Sequence, residues 1–494
     1  MHVRRLIVIL TLCALVAGCS SSSTTAANMT PPNGNDILKR IVGVGDSLTA
    51  GEQSGGILGA LDVTSPVSGY PDGAVPPTQE NGFWSVLYQL ATGTPASDMY
   101  TPGVSPLPLI GGPGLGSQLV ITPEGSFAAT HSSCDAFNDS GYSLGSFSDT
   151  RLNTSHTTLD LGVPGITAHE ALYMTNPLTG PPPASSVDCT YPLDPADPSA
   201  ALQPVVSGES GAFYPMLGAF AHTVAPLTEV GAAVSLHPTL VTVWLGANDL
   251  LKYIFTDGQA PSDTPTQMQA DITNAVRQLQ ATGARVVVAN LPDVLLTPQF
   301  FKGGPTLIAS LEEFGVPAEA ATAVTDYIQA TYNVGPNGYL TESGFFITIA
   351  TVEGGSVTPV LGVGDFLTDS FAAQVQGLND AYNQAIDAAA KSTGAPLVDI
   401  KTFFDTISAD GGIPINPPTC CSLAFGGGLL SFDGLHPSNT GYALIANLFV
   451  QTIDGAYKLN IPQLSAAQLL AISESDPYAP QAFARLPAFA HRHR

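Results

Sequence analysis

The chain has 494 residues, 44% of them hydrophobic and only 11% charged, with 50 Gly, 41 Pro and a formal net charge of −25. So acidic a surface repels nucleic acid and anionic lipid headgroups, and no basic stretch interleaved with aromatics offsets it, so both are excluded as partners. The apolar fraction supports a large core, and the glycine and proline content assigns much of the chain to loops.

Residues 1–18 read as an export signal. Arg4 and Arg5 precede the apolar run LIVILTLCALVAG, which is too short to span a bilayer. Small residues abut Cys19 and SSSSTT follows it, a pattern that resembles a bacterial lipoprotein signal in which Cys19 is lipidated. A plain secretory signal shares the same first half. Residues 19–36 are polar and aperiodic, as in a flexible tether, with a reach of at most roughly 60 Å. The expected address is therefore the bacterial cell envelope, facing periplasm or exterior. In a Gram-negative organism the anchor would sit in the outer membrane. Membrane contact would come through the anchor alone.

Residues 37–494 are expected to form one domain with long insertions around 57–155 and 176–212. Such stretches are either walls over a site or surface decoration. Five short runs rich in β-branched residues read as strands: RIVGVGD (40–46), TTLDLGVPG (157–165), LVTVWLGAND (240–249), RVVVANLPD (285–293) and APLVDI (395–400). They are nearly continuously apolar, as strands buried on both faces should be. Between the third and fourth, Thr264 reads as a helix N-cap with Pro265 after it and Gly283 past the end. Met268, Ile272, Ala275, Val276 and Leu279 form its apolar stripe. A second helix carries Val375, Leu378, Tyr382 and Ile386, and a last one Ile445, Leu448, Phe449 and Ile453. This alternation predicts a three-layer α/β/α fold around a five-stranded parallel sheet.

Besides Cys13 and Cys19 the chain holds Cys134, Cys189, Cys420 and Cys421. Export permits disulfides. Neighbouring residues bridge poorly, so Cys420 and Cys421 are each expected to reach back to Cys134 or Cys189. Zinc is disfavoured because no CxxC or paired histidine accompanies them. TAHEAL at Thr167 has one His–Glu pair without the second histidine of a zincin, so no metal is expected, nor any cofactor.

In open parallel sheets ligands gather beyond the carboxyl ends of the strands. There the first strand delivers Gly45-Asp46-Ser47, the second Gly162–Gly165, the third Gly246-Ala247-Asn248-Asp249, and the loop before the last helix Asp433 to Pro437. A serine, a base for its proton, a carboxylate to orient that base and donors for an oxyanion would thus meet at one rim. Two other motifs carry less. GYSLG at 141–145 matches a nucleophile elbow but lacks the flanking strand and helix. GVGDSL begins like a dinucleotide fingerprint, yet Asp46 would face the pyrophosphate.

GDSLTAG, GVPGITA, GANDL and DGLHP, in this order, resemble the SGNH/GDSL family of esterases and lipases, over most of the chain beyond the signal. The resemblance implies a flavodoxin-like SGNH fold with Ser47 as nucleophile, His436 as general base and Asp433 orienting it. It implies an oxyanion hole of the Ser47 and Gly165 N–H groups and the Asn248 side chain. Gly165 is flanked by Pro164 and Ile166, a departure from the usual pattern, with Gly162 close by. Asp46 reads as a support for the turn. The implied reaction is hydrolysis of a small-molecule or lipid ester through an acyl-enzyme. A carbohydrate O-acetyl esterase, or a non-catalytic surface lipoprotein using the scaffold to bind, are the alternatives.

Overall fold

The computed structural model describes residues 36–59, 76–111, 115–116, 118–121, 127–129, 152–153, 157–174, 216–217, 227–259, 263–415 and 421–480. The signal at 1–18, Cys19 and the tether up to residue 35 lie outside these residues, as do Cys134, Cys189, Cys420 and the GYSLG motif. Cys421 is disulfide-bonded.

Strand β1 (Ile41–Gly45) runs into the one-turn helix α1 (Ser47–Ala50). Helices α2 (Phe83–Thr92), α3 (Ala168–Tyr173) and α4 (Glu229–Ser235) precede β2 (Leu240–Trp244). Then come α5 (Ala247–Phe255), α6 (Pro265–Ala281) and β3 (Arg285–Ala289). An inserted unit holds β4 (Phe300–Lys302), α7 (Pro305–Glu313), α8 (Ala318–Tyr332), β5 (Tyr339–Thr341), α9 (Glu342–Glu353) and β6 (Phe366–Leu367). The chain continues through α10 (Asp369–Thr393), β7 (Leu397–Val398), α11 (Ile400–Asp410) and α12 (Asn439–Tyr457).

The central sheet is parallel throughout, in the order β1-β2-β3-β7. It has four strands where the sequence predicts five. The run 157–165 does follow the free edge of β1: Gly43 N donates to Leu159 O (2.9 Å), Leu161 N to Gly43 O (3.0 Å) and Val163 N to Gly45 O (2.9 Å). Gly43 and Asp160 form only an isolated parallel bridge. The Asp160 carboxylate accepts from Gly162 N at 3.1 Å, and Gly165 at φ +81° turns the chain away after Pro164. Both devices stop a ladder from growing.

Helices α4, α6 and α10 pack together against one side of the sheet, and α2 with α12 against the other. The expected caps are in place. Thr264 accepts from Gln267 N, Pro265 opens α6, and all five residues of its stripe are buried. Helix α2 lies inside the stretch 57–155, where the sequence suggests loop. Gly82 and Gly93 bracket it closely, and its FWSVLYQL carries the core: the Phe83 ring stacks on Phe449 (centroids 4.6 Å apart) and meets Trp244 edge-on (5.2 Å).

The inserted unit has its own apolar cluster, with Phe301, Leu307, Leu311, Val324, Ile328 and Phe345 under an antiparallel sheet of order β6-β5-β4. It meets the last loop of the fold where Gln299 N donates to Gly434 O at 3.1 Å. Among the described residues no helix is long and apolar enough to cross a membrane.

Candidate active site

Gly45 ends β1 against β2 so tightly that a Cβ there would stand 2.6 Å from Trp244 O and 2.1 Å from Thr49 Oγ1. The strand can therefore turn at once. Asp46 caps the helix that follows, its carboxylate accepting from Leu48 N at 3.0 Å. Its position fits the expected turn support and bars a phosphate from that helix end. Ser47 is the first residue of α1, and its side chain lies against the loop before α12. Ser47 Oγ and His436 Nε2 are 2.8 Å apart, and His436 Nδ1 is 2.7 Å from Asp433 Oδ2.

The loop that presents the histidine is tied down from within. Asp433 Oδ1 accepts from Leu435 N and His436 N, both at 2.9 Å, and Ser431 N donates to His436 O at 2.8 Å. Gly434 sits at φ +67°, and a Cβ there would lie 2.7 Å from Gln299 N, so this turn needs glycine. Ser438 caps α12 immediately afterwards, accepting from Gly441 N.

Asn248, in the first turn of α5, shares a pocket with Ser47 and His436. The pocket wall is otherwise largely apolar, including Trp244, Leu250, Leu251, Leu291, Val294 and Phe404. Asn248 Nδ2 donates to Ile166 O at 3.1 Å. That bond sets the amide beside the Gly165 turn and leaves its second N–H for another acceptor.

Residues 217–449 match the family model for GDSL-like Lipase/Acylhydrolase. The match covers just under half of the chain and supports the SGNH/GDSL family, hence a hydrolase of the esterase and lipase kind. It includes Asn248, Asp433 and His436, whereas Ser47 and Gly165 precede it. No curated protein and no solved structure matches the chain.

The electrostatics of this site involve more carboxyls than the sequence motifs reveal. Burial alone would pull the His436 imidazolium down, but Asp433, Glu52 and Asp46 together push it up to about 9. Burial would likewise raise Asp433, yet the facing imidazole and the amides of Leu435 and His436 hold it below the usual carboxylate value. Burial lifts Asp46 to about 7. Glu52 is the residue that motif reasoning misses: Glu52 Oε2 is 3.9 Å from His436 Nε2, on the serine side of the ring. Burial raises its carboxyl too. The segment after α1 is also stitched to the loop before α12, with Gly55 N donating to Asp433 Oδ2 (2.7 Å) and Ser54 N to Ser431 Oγ (2.7 Å). Proximity to GDSLTAG is the one hint that this segment would matter.

Proposed function

We propose that the protein is a carboxylic ester hydrolase that works through an acyl-enzyme on Ser47. The observation that carries the reading is the unbroken Ser47–His436–Asp433 relay opening into an apolar pocket beside Asn248. In its neutral form His436 takes the serine proton through Nε2 while Oγ attacks the ester carbonyl, and Asp433 stabilises the imidazolium that forms. The oxyanion is received by Asn248 Nδ2 and by the N–H groups of Ser47 and Gly165, each such donor contributing about 3 kcal/mol. The alcohol leaves with the proton from His436. Water then attacks the acyl-serine by the same route, returning the proton to Oγ.

The apolar pocket wall favours a hydrocarbon acyl chain over an O-acetylated sugar, whose hydroxyls would need polar partners there. The protein is further read as an exported lipoprotein anchored through Cys19. The disulfide at Cys421 suits that compartment. Replacing Cys19 with Ser should release it from the membrane fraction, and retention would refute the anchor.

A p-nitrophenyl ester series from acetate to palmitate tests the chemistry. Wild type should turn over several members, and Ser47→Ala should lose at least about 10⁴-fold in kcat. Equal turnover by both proteins would remove Ser47 from the mechanism. Activity on acetylated oligosaccharides alone would favour the deacetylase, and no activity on any ester a binding module.

A further inference from the structure

Helix α3 follows directly on the Gly165 turn and carries His169, which ester hydrolysis does not use. His169 Nδ1 lies 3.1 Å from Asp271 Oδ2 on α6, an oxygen that also accepts from Gln267 Nε2 at 2.9 Å, and together with Asp263 these residues bring one donor atom each within 4.8 Å of one another. Asp271 is only 1% exposed, and its second oxygen, Oδ1, is buried with no hydrogen-bond partner. Asp263 Oδ2 is also buried without one.

A further carboxyl arrives from the pocket side. Asp249, 2% exposed, uses Oδ2 to accept from Ala168 N at 3.1 Å, and its carboxyl adjoins that of Asp263. The neighbouring Lys252 is engaged by Glu170 at 3.0 and 3.1 Å. A proton shared between Asp249 and Asp263 would ease that pair but leave Asp271 Oδ1 orphaned beside an imidazole. A divalent cation among the clustered donor atoms of His169, Asp263 and Asp271 would offset the buried carboxylates there.

We propose that His169, Asp263 and Asp271 bind a divalent cation of the zinc or manganese class. An imidazole donor disfavours calcium and magnesium, which take oxygen ligands. The 3.1 Å separation of Nδ1 and Oδ2 is close to the edge of a tetrahedron with zinc at its centre, about 3.3 Å for bonds of about 2.0–2.1 Å. His169, its side chain 49% exposed, gives the ion a route in from solvent. The role is structural. The ion ties α3, which begins just after Gly165, to α6.

The full chain, stripped with EDTA, is titrated with Zn²⁺ and separately Mn²⁺ by calorimetry, and its melting is followed. Wild type should bind one equivalent of at least one of these ions and melt about 3–5 °C higher at a hundredfold excess over Kd. Asp271→Asn should abolish both effects. His169→Ala, at a half-exposed position that threatens the fold little, should weaken binding at least about tenfold. No saturable binding by wild type overturns the proposal. So does binding unchanged in both variants, which would place the ion elsewhere, for instance on His491 and His493. A separate arm measures ester turnover of the stripped protein. It rests on the esterase reading and should show a fall in kcat with little change in KM. Binding without that fall leaves the cation site standing and removes its link to the oxyanion donors.

Discussion

In the proposed mechanism His436 must be neutral to accept the serine proton, yet three carboxylates push it up to about 9. The kcat/KM profile should therefore rise with pH along a limb whose midpoint lies above the ordinary histidine value of about 6.5. Glu52 is the contributor that can be removed without breaking the relay, because it touches neither the Asp433–Nδ1 bond nor the donors around Asn248. Glu52→Gln should move the midpoint to lower pH and raise activity at pH 6–7. A pH–rate profile of the two proteins checks this, and an unmoved midpoint would deny Glu52 any hold on the imidazole. Ser47, Asp433, His436 and Asn248 were legible in the sequence because each sits in a short motif at a strand end or loop. Glu52 and Ser431 were not, since their meaning comes from contacts made across hundreds of residues. The same holds for His169: its helix showed one histidine, and Asp271 reaches it only through the packing of α3 on α6.

Helix α10 shows how an element serves the site while reading as ordinary core. Its stripe of Val375, Tyr382 and Ile386 was legible from the 3.6-residue period, and these side chains are buried as expected. Two asparagines on the buried side have no such signature. Asn383 accepts from Leu291 N at 2.8 Å and donates to Leu291 O at 3.1 Å, and Asn379 accepts from Val294 N at 3.2 Å. Both loop residues line the pocket. Asn383→Ala would leave two buried backbone groups unpaired, a loss of about 1–3 kcal/mol. The expected outcome is a lower urea midpoint together with a raised KM for long acyl esters. Unchanged KM would mean that the loop keeps its shape without the amide. The inserted unit around α7–α9 escaped the sequence reading for another reason. Its strands have only two or three residues, too few to display a period.

At the scale of the molecule, the acidic composition reaches into the interior. Glu229 donates no proton to the ladder but accepts from Gly45 N at 2.6 Å, and burial, with Asp46 and Asp160 beside it, raises it well above the ordinary value. Asp160 is raised likewise, Glu80 to about 7 and Glu342 to about 8, burial leading in each case. A carboxyl whose pKa is higher folded than unfolded stabilises the fold fully below its unfolded value, near 4, and loses that contribution as pH climbs through the folded value. His436, also raised, contributes below about 6.5 and loses through about 9, so it acts in the same direction. Stability should therefore fall from pH 5 to pH 9, by about 1.4 kcal/mol per pH unit for each proton that the folded form holds in excess. Melting temperatures across that range test it, and a flat or rising curve would mean that these carboxyls are ionised in the fold. Glu229→Gln should make the decline shallower. The four parallel strands and the flanking helices were legible from composition and period. The edge run 157–165 was overread as a strand because its apolar residues outvoted Asp160 and Pro164.

Ser47 and His436 are separated by 389 positions, and β1 lies at the edge of a ladder completed only by later segments. A ribosome adding 5–20 residues per second needs about 20–80 s to travel from one to the other. During that interval the emerging chain holds a serine with no base and, for about its first half, a strand with no neighbour on its β2 side. Catalytic competence is thus delayed until the polymer is nearly finished, and a truncated translation product would carry the GDSL string while remaining inert.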